Sequence, residues 1–229
     1  TCKKLLDPLI LAREFWTHVE FYDRERDIFY SVRDNDETVV VAGTELGKDF
    51  AAGFTCVWFI ISALKLGLRF RIVTTSVRGD HLNVLWAEIG RFISSSKYPI
   101  SSSKGGPFQV NHLEIRKASE VLAKVPDSYL IGMVAQKGEG FQGHHADLTL
   151  GVIDEASSME DVVVESMSGW AEKLLIFGNP HPCNNYFRKS VREGDLAASS
   201  NSYMLRRNLS IRAVDSPNVK RALKYIADR

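Results

Sequence analysis

A lysine directly after a glycine, placed between a strand-like run and a helical pattern, can hold a phosphate. The segment Ala42-Gly43-Thr44-Glu45-Leu46-Gly47-Lys48-Asp49 has this layout. Small residues let the backbone wrap an anion, N–H groups at a helix start present positive partial charge, and the lysine reaches the β- and γ-phosphates. The pattern G-x-x-x-x-G-K-[ST] is met at Gly47 and Lys48 and departed from twice. Ala42 stands at the first glycine position with Gly43 beside it, and Asp49 stands where Ser or Thr ordinarily ligates Mg²⁺. An aspartate can ligate Mg²⁺ itself, directly or through water. Gly43, Thr44, Glu45, Leu46, Gly47, Lys48, Asp49 and Phe50 are therefore the candidate nucleotide contacts here. The same segment also fits a plain strand-to-helix turn that uses glycine only for its geometry.

The second constellation is acidic. An apolar run over residues 148–153 (LTLGVI) ends in Asp154-Glu155. Such a strand places both carboxylates at the carboxyl edge of a sheet, where ligands bind in open α/β folds. In that position Asp154 is expected to hold Mg²⁺, and Glu155 to orient and deprotonate an attacking water. With Lys48 they would supply much of what phosphoryl transfer needs, which is positioning and charge neutralisation. A helix N-cap with an acidic first turn would use the same two residues.

These residues need a sheet to bring them together. Apolar runs at 38–42, 70–75, 110–115, 129–135, 148–153 and 174–177 read as strands. Helical patterns at 48–66 (ending near Gly67), 80–93, 159–169 and 220–227 fall among and after them. The 93–108 stretch is rich in Ser, Gly and Pro and reads as a loop. Strands alternating with helices predict an α/β fold with a mostly parallel central sheet flanked by helices.

Composition is that of an ordinary globular domain: 229 residues, 45% apolar, 25% charged. A formal charge of +1 gives no overall field to draw in nucleic acid. DNA contact would have to come from local patches: Arg69 with Arg71, Lys97 with Lys104, or Arg188, Lys189 and Arg192, each of which also reads as solvated surface. Three cysteines, Cys2, Cys56 and Cys183, share no metal-ligand spacing and suit a reducing compartment. No signal-peptide pattern opens the chain. The longest apolar stretch, 54–68, is interrupted by Ser62 and Lys65 and is expected not to span a bilayer.

The ordered set of segments resembles the large terminase subunits of tailed phages and related viruses. Phe21-Tyr22-Asp23-Arg24-Glu25-Arg26 lies ahead of the phosphate loop, where that family has an adenine-side segment, with Glu25 at a position often held by Gln. Thr74-Thr75-Ser76 and Leu85-Trp86-Ala87-Glu88-Ile89 look like its second strand and the following helix. Gly140-Phe141-Gln142-Gly143-His144-His145-Ala146 precedes the acidic strand, and residues 152–157 (VIDEAS) look like the Walker B segment. Phe177-Gly178-Asn179-Pro180 looks like the coupling motif, and Asp215-Ser216-Pro217-Asn218-Val219 resembles a segment near the end of the ATPase domain.

The resemblance covers nearly the whole chain. It implies a P-loop NTPase of ASCE type that hydrolyses ATP with Mg²⁺ to drive double-stranded DNA into a viral procapsid. It implies Glu155, Lys48 and Asn179 as catalytic residues, Asp154 and Asp49 as metal ligands, and Tyr22 and Arg26 as further nucleotide contacts. It also implies a portal protein and a small terminase subunit as partners. The subunits would form a homo-oligomeric ring on the procapsid, or stay monomeric in isolation, without a membrane. The setting would be the cytoplasm of the infected host cell, outside the mature virion. Residues 1–229 would be the ATPase domain, about 1–35 its adenine-side segment, and about 186–229 a C-terminal subdomain or linker toward a nuclease domain absent from this chain.

The family often carries an arginine in the phosphate loop; Thr44 and Glu45 stand there instead, and Arg78 is a candidate replacement, although it also reads as surface. A helicase-like, nucleic-acid-stimulated ATPase and a nucleotide-binding scaffold with weak hydrolysis are the alternative functions. His144 and His145 have no second ligand at helical or hairpin spacing, and Gln142 is placed to meet phosphate or a neighbouring subunit. Trp16, Trp58, Trp86 and Trp170 read as core, and Cys183 has no base beside it.

Overall fold

The computed structural model describes residues 5–43, 46–135, 141, 143–195 and 205–227. Eight strands form one sheet: β1 (Glu37–Ala42), β2 (Phe70–Ser76), β3 (Phe108–Asn111), β4 (Glu114–Lys117), β5 (Tyr129–Val134), β6 (Leu148–Ile153), β7 (Lys173–Gly178) and β8 (Arg206–Ile211). Their spatial order is β3-β4-β5-β2-β6-β7-β1-β8. The β5-β2-β6-β7-β1-β8 block is parallel throughout, and β4 pairs antiparallel with β3 and β5. β6 and β7 are buried at every position, the pattern of strands covered on both faces. β7 separates β1 from β6, so the strand feeding the phosphate loop and the strand ending in the acidic pair are not neighbours. This is an α/β fold with a mostly parallel central sheet flanked by helices, as expected.

Helices cover both faces. α1 (Pro8–Phe15), α2 (Asp23–Asp34), α3 (Lys48–Leu66) and α4 (Gly79–Ser95) pack on one, against Val40, Ile72, Leu150 and Leu175. α6 (Asp161–Ser168) and α7 (Tyr186–Glu193) pack on the other, against Val39, Val73, Ile153 and Ile176. A short α5 (Ala118–Leu122) and the final α8 (Pro217–Ala227) complete the set. The alternation of Val39 with Val40 between two cores is the period-two rule of a strand.

α3 runs through the larger core. Phe54, Trp58 and Phe59 on it are fully buried, and Trp16, Trp86 and Trp170 are buried too, as core tryptophans. Gly67 ends it in the left-handed conformation at φ 66°, with Leu68 N–H donating to Ala63 O at 2.9 Å. Contrary to the expectation from its Ser and Lys interruptions, this 19-residue helix is long and apolar enough to cross a bilayer by length and composition. Its place in the fold decides the matter: 72% of its most apolar window is buried inside the protein, so it is a core helix.

Residues 110–115, expected as one strand, instead turn back on themselves. Asn111 and Glu114 pair across a two-residue turn, and Leu113 takes φ 52° to close it. The stretch at 93–108 is partly regular: α4 continues to Ser95, Ser102–Lys104 form a 3₁₀ turn, and Ile100 is buried.

Candidate nucleotide site

The carboxyl ends of β1, β2, β6 and β7 meet at one sheet edge. From β1 the chain passes Gly43 and reaches α3 through Gly47, which caps the helix at φ 83°. Only glycine suits this position, because a Cβ there would also lie 3.0 Å from the Glu25 carboxylate. Thr44 and Glu45 lie outside the described residues. The Tyr22 hydroxyl donates to Leu46 O at 2.7 Å, fastening the loop to the N-terminal segment.

Lys48 opens α3 and is buried. Its Nζ donates to Asp154 Oδ1 at 3.0 Å and to Glu155 Oε1. Burial by itself would depress this ammonium, but the charges and hydrogen bonds of Asp154 and Glu155 outweigh it and raise its pKa. Asp154 follows directly on β6, its backbone N–H donating to Thr75 O at 2.9 Å. Glu155 sits in the left-handed region at φ 55°, ψ 39°, a costly conformation for a residue with a side chain. The next turn is clamped from α7: Asn185 Nδ2 donates to Ala156 O at 2.8 Å and to Met159 O at 2.9 Å. That clamp holds the backbone that aims Glu155.

Asn179, first residue after β7, donates from Nδ2 to Glu155 Oε2 at 2.9 Å. The intervening strand thus brings its terminal amide to the Glu155 oxygen that Lys48 does not hold. Asp49, one residue along α3, has its pKa pushed up to about 6, first by burial and then by the charge of Asp154. Asn179 Oδ1, Thr75 Oγ1 and Ser76 Oγ are buried at this edge with no hydrogen-bond partner in the protein. The oxygens of Asp154 and Glu155, with orphaned polar atoms at the same edge and Asp49 near enough to feel the charge of Asp154, are a donor set that fits a hard divalent cation.

One further residue arrives from α4. His81 Nδ1 lies 3.7 Å from Glu155 Oε1, and its side chain is 40% exposed. Ligand atoms of His81, Asp154 and Glu155 fall within 4.8 Å of one another. Sequence reading passed over His81, since only the pairing of β2 with β6 brings the start of α4 to the acidic pair. Its position just after a strand's carboxyl end was the available signal.

Beside the loop is a pocket of about 470 Å³ lined by Tyr22, Glu25, Gly47, Phe50, Asn218 and Arg221 among others. Glu25 Oε2 accepts from Tyr22 N–H at 3.2 Å. Burial pushes its pKa up to about 7, against the opposing pull of that hydrogen bond and of Arg26. Burial, with Glu25 nearby, also raises the Tyr22 phenol. Tyr22 and Phe50 therefore share one pocket with the loop. Arg26 does not join them: it lies 3.7 Å from Asp23 and lines an adjoining cleft with Asp215 and Lys220. Arg221, not singled out in the sequence, reaches the pocket from α8.

Other expected residues fall elsewhere. Arg78 is paired in two-pronged fashion with Asp80 at 3.0 and 2.7 Å, both exposed. Arg69 and Arg71 are compensated by Asp127 and Asp147, and Lys189 by Asp161. Lys97 lies over the Tyr98 ring. His144 meets the Tyr129 hydroxyl at 2.6 Å and the Trp170 ring, at the start of β5 and so at the opposite sheet edge. Cys183 packs against the α6–α7 core. Gln142 and Cys2 lie outside the described residues.

No protein-family model and no curated protein matches this chain. Solved structures do. The large terminase ATPase domain of Thermus phage P74-26 is 17% identical, over 92% of this chain and 88% of that one, with a TM-score of 0.59. An arginine-to-alanine variant of that domain gives 16%, the same coverage and a TM-score of 0.61. The large terminase of a thermophilic bacteriophage, in complex with ADP, is 13% identical over 90% of this chain and 50% of that one, with a TM-score of 0.51. In its fold, this chain is similar to the ATPase domains of phage large terminases.

Proposed function

We propose that residues 1–229 are the ATP-hydrolysing motor domain of a viral DNA-packaging machine. The observation that carries this reading is the convergence of Lys48, Asp154, Glu155 and Asn179 at one sheet edge, beside a loop capped by Gly47. In this reading the adenine side of ATP takes the pocket of Tyr22, Glu25, Phe50 and Arg221, and the phosphates lie along residues 43–50 at the start of α3. Arg26 contributes from the pocket's edge.

Lys48 holds two carboxylates now, and its ammonium has three donors. On ATP binding it turns to the phosphates and releases Glu155. Asp154, with Asp49, supplies the oxygens for Mg²⁺, which when bound neutralises phosphate charge. Glu155 accepts a proton from the attacking water as that oxygen bonds to the γ-phosphorus and the bond to the ADP oxygen breaks. Asn179 fixes Glu155 through Oε2 and, as the first residue beyond β7, passes the change in Glu155 to the sheet. The coupled work is translocation of double-stranded DNA into a procapsid, by a ring of such subunits on a portal with a small terminase subunit. It takes place in the cytoplasm of the infected host cell and the domain does not remain in the virion. Residues about 1–35 serve the adenine side, and about 186–229 form the C-terminal subdomain or linker.

A weakly hydrolysing nucleotide-binding scaffold is favoured by one observation: Asp49 adds a carboxylate whose charge disfavours a triphosphate unless the metal is present. Steady-state ATP turnover and equilibrium ATP binding separate the two readings. Turnover in the wild type, its loss in Glu155→Ala with binding retained, and loss of binding in Lys48→Ala are expected. Equal turnover in wild type and Glu155→Ala would remove Glu155 as the base. Tight binding by Lys48→Ala would refute the loop assignment, and binding without turnover in every variant would favour the scaffold.

A further inference from the structure

We infer that His81 is a positioning residue for Glu155, taking Oε1 when Lys48 turns to the nucleotide; this rests on the motor reading above. The Glu155 carboxylate is held at both oxygens. Asn179 fixes Oε2 at 2.9 Å, while Lys48 fixes Oε1. A lysine that grips phosphate leaves Oε1 behind. Among the described residues, the one other cationic or N–H side chain near Oε1 is His81, with Nδ1 3.7 Å away. That distance is too long for a hydrogen bond and short enough that a small side-chain rotation closes it. Such contacts commonly tighten only in the substrate complex.

The setting favours this movement. His81 is the third residue of α4, and its side chain is 40% exposed, so neighbours do not lock its rotamer. Its backbone position is secure, because Leu82 and Leu85 on the same helix are fully buried. Glu155 is the opposite case: its left-handed backbone is clamped by Asn185, and its side chain is mostly buried. A mobile imidazole beside a fixed carboxylate is suited to replace a departing ammonium. The same three groups offer ligand atoms within 4.8 Å of one another, and the Mg²⁺ dependence of the His81 variants separates a ligand from a positioning residue.

The test compares wild type, His81→Ala, His81→Asn, Glu155→Ala and the double variant His81→Ala/Glu155→Ala. His81→Ala is expected to lower kcat about tenfold, because a misplaced base costs rate, while KM and the ATP dissociation constant stay within about threefold. Asparagine can place its amide nitrogen where Nδ1 lies, so His81→Asn restores most of the rate. In the Glu155→Ala background, loss of His81 costs nothing further. An unchanged kcat in His81→Ala, an equal loss in His81→Asn, or additive losses in the double variant would overturn the proposal. So would a Mg²⁺ requirement shifted by more than about threefold, which would make His81 a ligand.

A second measurement needs no turnover. The imidazole nitrogen resonances of His81 are expected to move when Mg²⁺ and a non-hydrolysable ATP analogue are added to wild type, and to stay in place in Glu155→Ala. Movement in both, or in neither, refutes the role of His81. Failure of the motor reading has a different signature, namely a wild type without turnover or an active Glu155→Ala.

Discussion

Glu25 is an acid buried where a nucleobase is expected, and its protonation should be visible in the stability of the whole domain. Its pKa rises from the ordinary 4.5 to about 7, chiefly by burial. The folded protein therefore binds a proton that the unfolded chain releases between these two values. Stability falls as pH rises through that window, and the full penalty is present above about 7. At about 1.4 kcal/mol per pH unit, the penalty is about 3 kcal/mol. Gln at this position keeps a carbonyl to accept from Tyr22 N–H and cannot ionise. Glu25→Gln should therefore be more stable than wild type at pH 8, by up to about 3 kcal/mol, a rise in Tm of about 6 °C or more. Near pH 4.5 the two proteins should unfold together. Urea unfolding of both proteins at several pH values measures the difference directly, since every other titrating group is shared. A gap that does not change with pH would show that Glu25 is not held neutral by burial, and would refute the electrostatic account of the pocket.

Two further predictions concern the frame around the site. A Cβ at Gly53 would lie 2.8 Å from Glu88 Cβ and 3.1 Å from the α4 backbone, so Gly53→Ala should cost about 1–3 kcal/mol in chemical unfolding; a change below about 0.5 kcal/mol would mean that α3 and α4 are not in close contact. Glu37 is fully buried, accepting from Arg206 Nε at 2.7 Å and from the Tyr186 hydroxyl at 2.6 Å. Arg206→Leu should strand that charge and cost about 3–5 kcal/mol by urea unfolding at neutral pH, and an unaffected midpoint would contradict the pairing of β8 with β1.

The parts of this protein that were legible in its sequence are those set by local patterning. The runs at residues 38–42 and 148–153 are strands within a residue of expectation, because runs of mostly β-branched and aliphatic residues without charge demand burial on both faces. The helix from Lys48 to Leu66 was legible at both ends, from the glycine-lysine start and from Gly67. Lys48, Asp154 and Glu155 were readable as a set because each stands at a strand-to-helix junction, where the chemistry depends on residue type. Where local signals compete, the pattern fails. Residues 110–115 carry enough apolar character for one strand, yet a tight turn at His112 and Leu113 makes a hairpin of them.

What tertiary structure decided is who stands next to whom. Sequence leaves the ordering of strands open, and that ordering puts β7 between β1 and β6 and so delivers Asn179 to Glu155. It puts β2 beside β6 and so delivers His81 to the same carboxylate from the far side. It folds α8 back to the N-terminal segment, so that Tyr22 and Arg221 line one pocket. It assigns the apolar helix α3 to a protein core, a choice that length and composition alone leave open. The physical reason is common to all four. Local propensity depends on neighbours a few residues away, whereas a site depends on side chains that only the burial of a shared core brings within a few ångströms.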